Sequence, residues 1–359
     1  MSQRGQDSGD GNDGGSSRPQ ESITYPSGNL ALPEPPQPRP PRSLQDLLRY
    51  STEVTTNSVG SSQGSSAPLD DESRKFLEAA LKSLTVDIIG ELMKCIEILQ
   101  MAKDVSEDSE DSAECEAALD HIFDFVDNID VANDFHKIGG FSVLNPCLNS
   151  LRSSIRWRGA ELVAYLCQNN PYCQNKILES RILSTLLNMI DTDINDTVKV
   201  KAMYAVSCIV RDNEEALKEF GSSDGYSVLL RALQSDIVKL NIKAAFLLTA
   251  LCSQKPDIKD ELVKMGYVEQ LVGQIAIQMQ LDVHSEVAEH LLSALLCLIQ
   301  DHEPSQTICK DPELQFREVM KYVIENSDGK DQYREEYEYA QSLLNTVFKD
   351  EKCAPVEDR

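Results

Sequence analysis

The sequence predicts an all-α fold: a right-handed α-solenoid of four armadillo-like three-helix repeats, with flanking capping helices and a disordered N-terminal arm. One observation behind this is a recurring signature of two apolar residues, two spacers and two apolar residues. It appears as Leu162-Val163 before Leu166-Cys167, Ala205-Val206 before Ile209-Val210, Leu247-Leu248 before Leu251-Cys252 and Ala294-Leu295 before Leu298-Ile299. Taken from Leu166, Ile209, Leu251 and Leu298, successive intervals are 43, 42 and 47 residues. A second anchor (Gly140-Phe141, Arg181-Ile182, Gly225-Tyr226, Gly266-Tyr267) keeps intervals of 41, 44 and 41. Two independent anchors sharing one period mark a stacked array, and three helices per unit of this length is the armadillo module. Composition agrees: 41% of residues are hydrophobic but only 6% aromatic, with Trp157 the single tryptophan, a profile of Leu- and Ala-rich helices.

The elements follow in order. Residues 1–68 are Gly, Ser, Pro and polar, including Pro35-Pro36-Gln37-Pro38-Arg39-Pro40-Pro41, and cannot build a core. A short Leu-rich motif at 42–50 interrupts them. Residues 69–137 read as N-terminal capping helices: an acidic start at Asp70-Asp71-Glu72, a helical stripe from Phe76 to Leu84, and a second helix at 88–101. In that helix Ile89, Leu92, Met93, Ile96 and Leu99 share one stripe. Residues 104–116 read as a solvated acidic loop, lacking the ligand alternation and central Gly of a calcium loop. The four repeats span 138–309, with middle helices expected at 142–150, 184–191, 227–234 and 268–274, each followed by a long third helix. The longer last interval is expected to come from a connector at 278–282. Residues 310–359 supply C-terminal capping helices, at 311–325 and 331–348, and a tail.

Charge and motifs narrow the function. With 59 acidic and 34 basic residues the formal charge is −25, a field that repels nucleic acid and anionic lipid. Ten cysteines show no Cys-x-x-Cys pair, and Cys95, Cys167, Cys208, Cys252 and Cys297 lie in apolar helical runs, as in a reducing compartment. Residues 1–15 carry no apolar segment and no stretch is long enough to span a bilayer, so a cytosolic monomer with access to the nucleus is expected. No phosphate loop, dinucleotide fingerprint, zinc motif or nucleophile elbow is present. The histidines (His121, His136, His284, His290, His302) are scattered, and nothing near Cys353 would activate its thiol. No enzyme activity, cofactor or metal is expected.

A binding face is more legible. Between the paired core positions, the third helices carry Glu161 and Tyr165, Tyr204 and Cys208, Phe246 and Ala250, then Ser293 and Cys297. Each is an i, i+4 pair on one stripe, and third helices line the inner curve of an armadillo stack. Arg158, Lys201 and Lys243 precede three of these stripes by a turn, with Arg156, Lys199, Arg211 and Lys239 nearby. An acidic protein surface is the expected partner, with Tyr204 and Phe246 as aromatic anchors.

Several runs resemble the Hsp-seventy-binding-protein family. They are Ile155-Arg156-Trp157-Arg158, Asp196-Thr197-Val198-Lys199-Val200-Lys201-Ala202, and Lys239-Leu240-Asn241-Ile242-Lys243-Ala244-Ala245-Phe246-Leu247-Leu248. The island Arg42-Ser43-Leu44-Gln45-Asp46-Leu47-Leu48 and Glu336-Tyr337-Glu338 resemble it too. The resemblance implies a four-repeat armadillo nucleotide exchange factor of the cytosolic branch. It would bind the ATPase domain of a 70-kDa heat-shock protein and promote release of ADP and client. Leu44, Leu47 and Leu48 are expected to form a pseudo-substrate motif for that chaperone's peptide-binding domain. The alternative is an armadillo scaffold binding another acidic protein partner without exchange activity. Extended-peptide armadillo grooves use a repeated Asn, which all four stripes here lack.

Overall fold

The computed structural model describes residues 87–100, 102, 111–280 and 286–349. The motif containing Leu44, Leu47 and Leu48, the helix expected at 70–84, His284 and Cys353 lie outside them. Among the described residues every regular element is helical. Helices α1 (Ile88–Leu99) and α2 (Asp111–Val126) lead into four units. The first is α3 (Ile129–Lys137), a 3₁₀ turn at Gly140–Val143 running into α4 (Leu144–Leu148), and α5 (Ser153–Cys167). The second is α6 (Pro171–Leu178), α7 (Ile182–Thr192) and α8 (Asp196–Val210). The third is α9 (Glu214–Ser222), α10 (Gly225–Leu233) and α11 (Val238–Gln254). The fourth is α12 (Lys259–Lys264), α13 (Tyr267–Gln280) and α14 (Glu286–Ile299). Helices α15 (Glu303–Cys309), α16 (Phe316–Ser327) and α17 (Arg334–Val347) close the array.

Three parallel stacks result. The third helices α2, α5, α8, α11, α14 and α17 pack each on the next. Second helices α4, α7 and α10 stack behind them, as α13 does on α16, and first helices pair as α3 on α6, α6 on α9 and α12 on α15. The apolar pairs read from the sequence fill the seams: Leu162, Val163, Ala205, Val206, Leu247, Leu248, Ala294 and Leu295 are all fully buried. Each helix buries its stripe only by having a neighbour on both sides, which is why the terminal helices are required.

The turn before each second helix has a local cause. Gly139, Arg181, Asp224 and Gly266 all adopt positive φ, and Gln315 repeats this before α16. The left-handed residue lets the chain reverse sharply, and Asp tolerates it through its short polar side chain. One position on, Gly140 and Gly225 are required by packing: a Cβ there would lie 2.5 Å from the Phe135 and Phe220 rings respectively. At the same two positions the other units carry Ile177 with Ile182 and Leu262 with Tyr267, all buried. Bulk is thus exchanged between first and second helix from one unit to the next. First helices start on side-chain caps from Asn128, Asn170 and Asn213, and α15 starts on His302.

The structure corrects several expectations. Helix α2 begins at Asp111, inside the segment expected as the acidic loop 104–116; Ser112, Cys115, Ala118, Leu119, Ile122 and Val126 form a buried stripe of small and apolar residues that the charges obscure. The N-terminal cap of 69–137 contains α3, which occupies the first-helix place of the first unit, so the repeats begin at Ile129, before residue 138. In α1 the buried stripe is Leu92, Cys95, Ile96 and Leu99, while Ile89 and Met93 face outward. The connector expected at 278–282 is helical through Gln280, since buried Met279 carries α13 three turns beyond its start.

Candidate functional site

The candidate interface is the inner face of α5, α8 and α11, extended by α2 at one end and α14 at the other. Helix α8 is fixed by its cap, Asn195 accepting from the Thr197 and Val198 amides, with Asp196 in the first turn. Its opposite face is buried almost throughout, so Lys201 and Tyr204 are left on the inner side. Helix α11 is held by Asn241, a buried side chain donating to the Leu233 carbonyl at 2.6 Å, which places Lys243 and Phe246 on the groove.

Rings and cations alternate along this face. The Arg158 guanidinium lies 4.3 Å from the Trp157 ring centroid and the Lys201 ammonium 5.8 Å from it. Lys243 sits 4.6 Å over Tyr204, and Arg211 5.3 Å over Phe246. The Tyr204 hydroxyl donates to Gln168 Oε1 at 3.0 Å, and Tyr165 packs on Phe123 of α2 with centroids 5.3 Å apart. Phe246 is 52% exposed, a large apolar surface left open on an inner face.

The charges fall into two classes. Arg158 is paired with Glu116 at 3.2 Å and Asp120 at 2.8 Å, both from α2, and Lys201 is paired with Glu161 of α5. Lys243 and Arg211 have no carboxylate within ion-pair distance among the described residues. Burial, then the charge of Lys201, holds the Lys243 ammonium below the usual lysine pKa. Burial, then neighbouring Cys208, pushes Tyr204 up to about 12, so it is a neutral donor at physiological pH. Cys208 itself is 3% exposed, its thiol raised by burial and opposed by the nearby charges of Arg211 and Lys243.

The remaining members of the expected set are placed differently. Arg156 makes a two-pronged contact to Asp193 at 2.7 and 2.9 Å and donates to the Ser150 and Leu151 carbonyls. Its fork is fully engaged in bracing two loops. Lys199 donates to the Asp191 carbonyl at 3.4 Å, also a brace. Lys239 is exposed in the first turn of α11, one turn before Lys243. Ala250 and Cys297 continue the face toward α14, where Cys297 Sγ lies 3.1 Å from Ser253 Oγ. Two features escape the sequence pattern. One is the pairing of Arg158 with α2, hidden because its partners fall partly in the segment read as a loop. The other is His290, which takes the ladder position of Arg158, Lys201 and Lys243 in the fourth unit and could have been found by extending that register.

Comparison with known proteins is consistent with this geometry. Residues 44–135 match the nucleotide exchange factor Fes1 family and residues 131–237 the SIL1/FES1/HPBP1 C-terminal domain. Hsp70-binding protein 1 of Mus musculus is 34% identical over 319 residues, covering 87% of each chain, and that of Homo sapiens is 34% identical over 318 residues, covering 86% of each. The Hsp70 nucleotide exchange factor FES1 of Mycosarcoma maydis is 30% identical over 227 residues, 61% of this chain and 57% of that one. Among solved structures, a designed armadillo repeat protein superposes with TM-score 0.55 at 17% identity, over 71% of this chain and 99% of its own. That likeness identifies the fold as an armadillo solenoid. With family models matching residues 44–237 and a third of aligned positions identical to relatives over 87% of the chain, the chain belongs to the Hsp70-binding protein 1 and Fes1 family.

Proposed function

We propose that the chain is a cytosolic nucleotide exchange factor for 70-kDa heat-shock chaperones, gripping the ATPase domain with the inner face of its third helices and promoting loss of ADP and then of client. The observation that carries this reading is the match across 87% of the chain to Hsp70-binding protein 1. The groove supports it: a row of rings and cations on a seam-braced scaffold suits a folded, acidic partner. The four inner stripes lack the Asn that reads an extended peptide backbone, which favours a folded partner over the scaffold alternative.

An exchange factor performs no covalent chemistry. It needs only to bind the open conformation of its client more tightly than the closed one. A ~100-fold acceleration of ADP release requires about 2.7 kcal/mol of such preference. Two or three desolvated ring and cation contacts, at roughly 1–2 kcal/mol each, are enough. Stiffness is the other requirement, and the fully buried seams and inter-repeat ion pairs provide it. The Leu44, Leu47 and Leu48 motif is proposed to compete for the chaperone's peptide site. The test is release of a fluorescent ADP analogue from a purified cytosolic 70-kDa chaperone. The full chain is expected to accelerate it at least tenfold, and Tyr204→Ala or Phe246→Ala to weaken the effect with helicity retained. No acceleration by a folded wild-type chain would refute the proposal.

A further inference from the structure

One edge of the array is lined with aliphatic side chains that face water. The short connections from second to third helix lie at that edge, and they carry Leu151, 65% exposed, Ile194, 94%, and Val238, 54%. The connections share one turn: Ser150 Oγ accepts from the Arg152 amide, Asp193 Oδ1 from the Asn195 amide and Ser235 Oγ from the Ile237 amide. Leu151 and Ile194 sit at the tip of that turn. In the third unit the tip is Asp236, and the aliphatic follows two residues later as the first residue of α11. The turns are pinned from beneath. Arg156 donates to the Ser150 and Leu151 carbonyls and to both oxygens of the nearly buried Asp193 carboxylate, joining the first turn to the second. Arg231 of α10 is paired with Asp191 at the end of α7, and buried Asn241 donates to the Leu233 carbonyl. The opposite edge, where the third helices end, exposes Asn169, Asp212 and Asp301 instead. Aliphatics held stiffly in water at one edge only, in three consecutive units, mark a contact surface.

We infer that Leu151, Ile194 and Val238 form an apolar rim that docks on the same folded partner as the groove, against an apolar part of the ATPase domain's surface. The inference rests on the exchange-factor reading for the partner's identity and adds to it a second contact of different chemistry. Size argues for this occupant. A stable interface covers about 800 Å² of each partner, roughly 28 Å across. Helices α5 and α8 have 15 residues each, a length of about 22 Å at 1.5 Å per residue. A partner seated on the ladder therefore overruns the ends of the helices that carry it. Arg158, Lys201 and Lys243 lie in the first two turns of α5, α8 and α11, toward the apolar edge, and the rim belongs to the same three units. The charges beside the tips are of both signs, with Asp196 and Lys239 exposed, so the rim attracts by burial of apolar surface and not by net charge. Because the turns are already fixed, docking them costs little ordering entropy.

The test uses the full chain and the purified ATPase domain of a cytosolic 70-kDa chaperone. Leu151→Ser, Ile194→Ser and Val238→Ser are each expected to weaken binding about threefold, and the triple variant at least about tenfold, with its salt dependence unchanged. Lys243→Gln is expected to make that dependence shallower instead. The triple variant should also bind with a less negative heat-capacity change, the mark of lost apolar burial. Thermal melts show whether the fold is kept, and Ile194→Lys, at a side chain that packs on almost nothing, replaces the triple variant if that is unstable. Independently, the Ile194 methyl resonance is expected to lose its access to a soluble paramagnetic probe when the ATPase domain is added. Wild-type affinity in the triple variant, with ADP release still accelerated, would overturn the rim and leave the exchange function standing. Methyl protection that appears as the chain alone is concentrated, and not with the ATPase domain, would assign the rim to a second copy and likewise overturn it. Failure of the wild-type chain to bind the ATPase domain would remove both readings together.

Discussion

Gly225 shows how much a single atom decides. Its missing Cβ is the space occupied by the Phe220 ring and carbonyl, each 2.5 Å from where that atom would be. Gly225→Ala is therefore expected to destabilise the protein by about 1–3 kcal/mol, as overpacked cores do. Phe220→Leu with Gly225→Ala should recover part of that loss, because the unit containing Leu262 and Tyr267 already solves the packing with the bulk reversed. The pair of melting temperatures checks it: a double variant no better than the sum of its singles would mean the two positions do not share space. A second residue carries a pH signature. Burial, then hydrogen bonding and charge from Glu335 of α17, holds the Glu289 carboxyl above the usual carboxylate range, partly offset by His290. A raised folded pKa means the native state binds the proton more tightly than the unfolded chain. Stability therefore falls as pH rises from about 4.5 through the folded pKa, and the penalty persists at neutrality. Glu289→Gln is expected to raise the melting temperature at pH 7 and to lose that advantage below pH 4.5. An equal shift at both pH values would remove the carboxyl pair as its cause.

At the level of the helix, the sequence shows what depends on spacing and hides what depends on a neighbour. The third helices were readable because their core positions recur with one period, and Leu247 and Leu248 are fully buried as that register requires. Leu248→Asp is expected to cost about 3–5 kcal/mol, since it leaves an unpaired charge inside an inter-repeat seam. Loss of a cooperative thermal transition is the readout, and an unaltered melt would mean the register is wrong. The start of α2 was not readable, because its buried stripe begins with Ser112 and Cys115 inside an acidic run whose charges face the groove as Glu116 and Asp120. The same blindness touched the site. Arg156, Arg158, Lys199 and Lys201 look alike as basic residues at neighbouring positions. Their roles separate only when Asp193, Asp191, Glu116 and Glu161 arrive from other helices. Position within a repeat predicts which face a residue occupies, but its free valence is set by the next repeat.

Among the described residues, polar ties between units join residues roughly one repeat apart: Arg158 to Asp120, Lys201 to Glu161, Arg231 to Asp191, Gln254 to Asp212 and His302 to Asp260. Each seam is therefore closed by its own neighbours, and stability is a sum over seams more than a property of one core. The seams differ in kind on the inner face. Between α2 and α5, and between α5 and α8, they are latched by ion pairs with fixed direction. Between α8 and α11 the inner ties are cations resting on rings, Lys243 on Tyr204 and Arg211 on Phe246, contacts that tolerate sliding. Springs joined in series bend at the softest one. Any bending of the array is then expected to concentrate at the α8–α11 seam, with α2 to α8 moving as one piece.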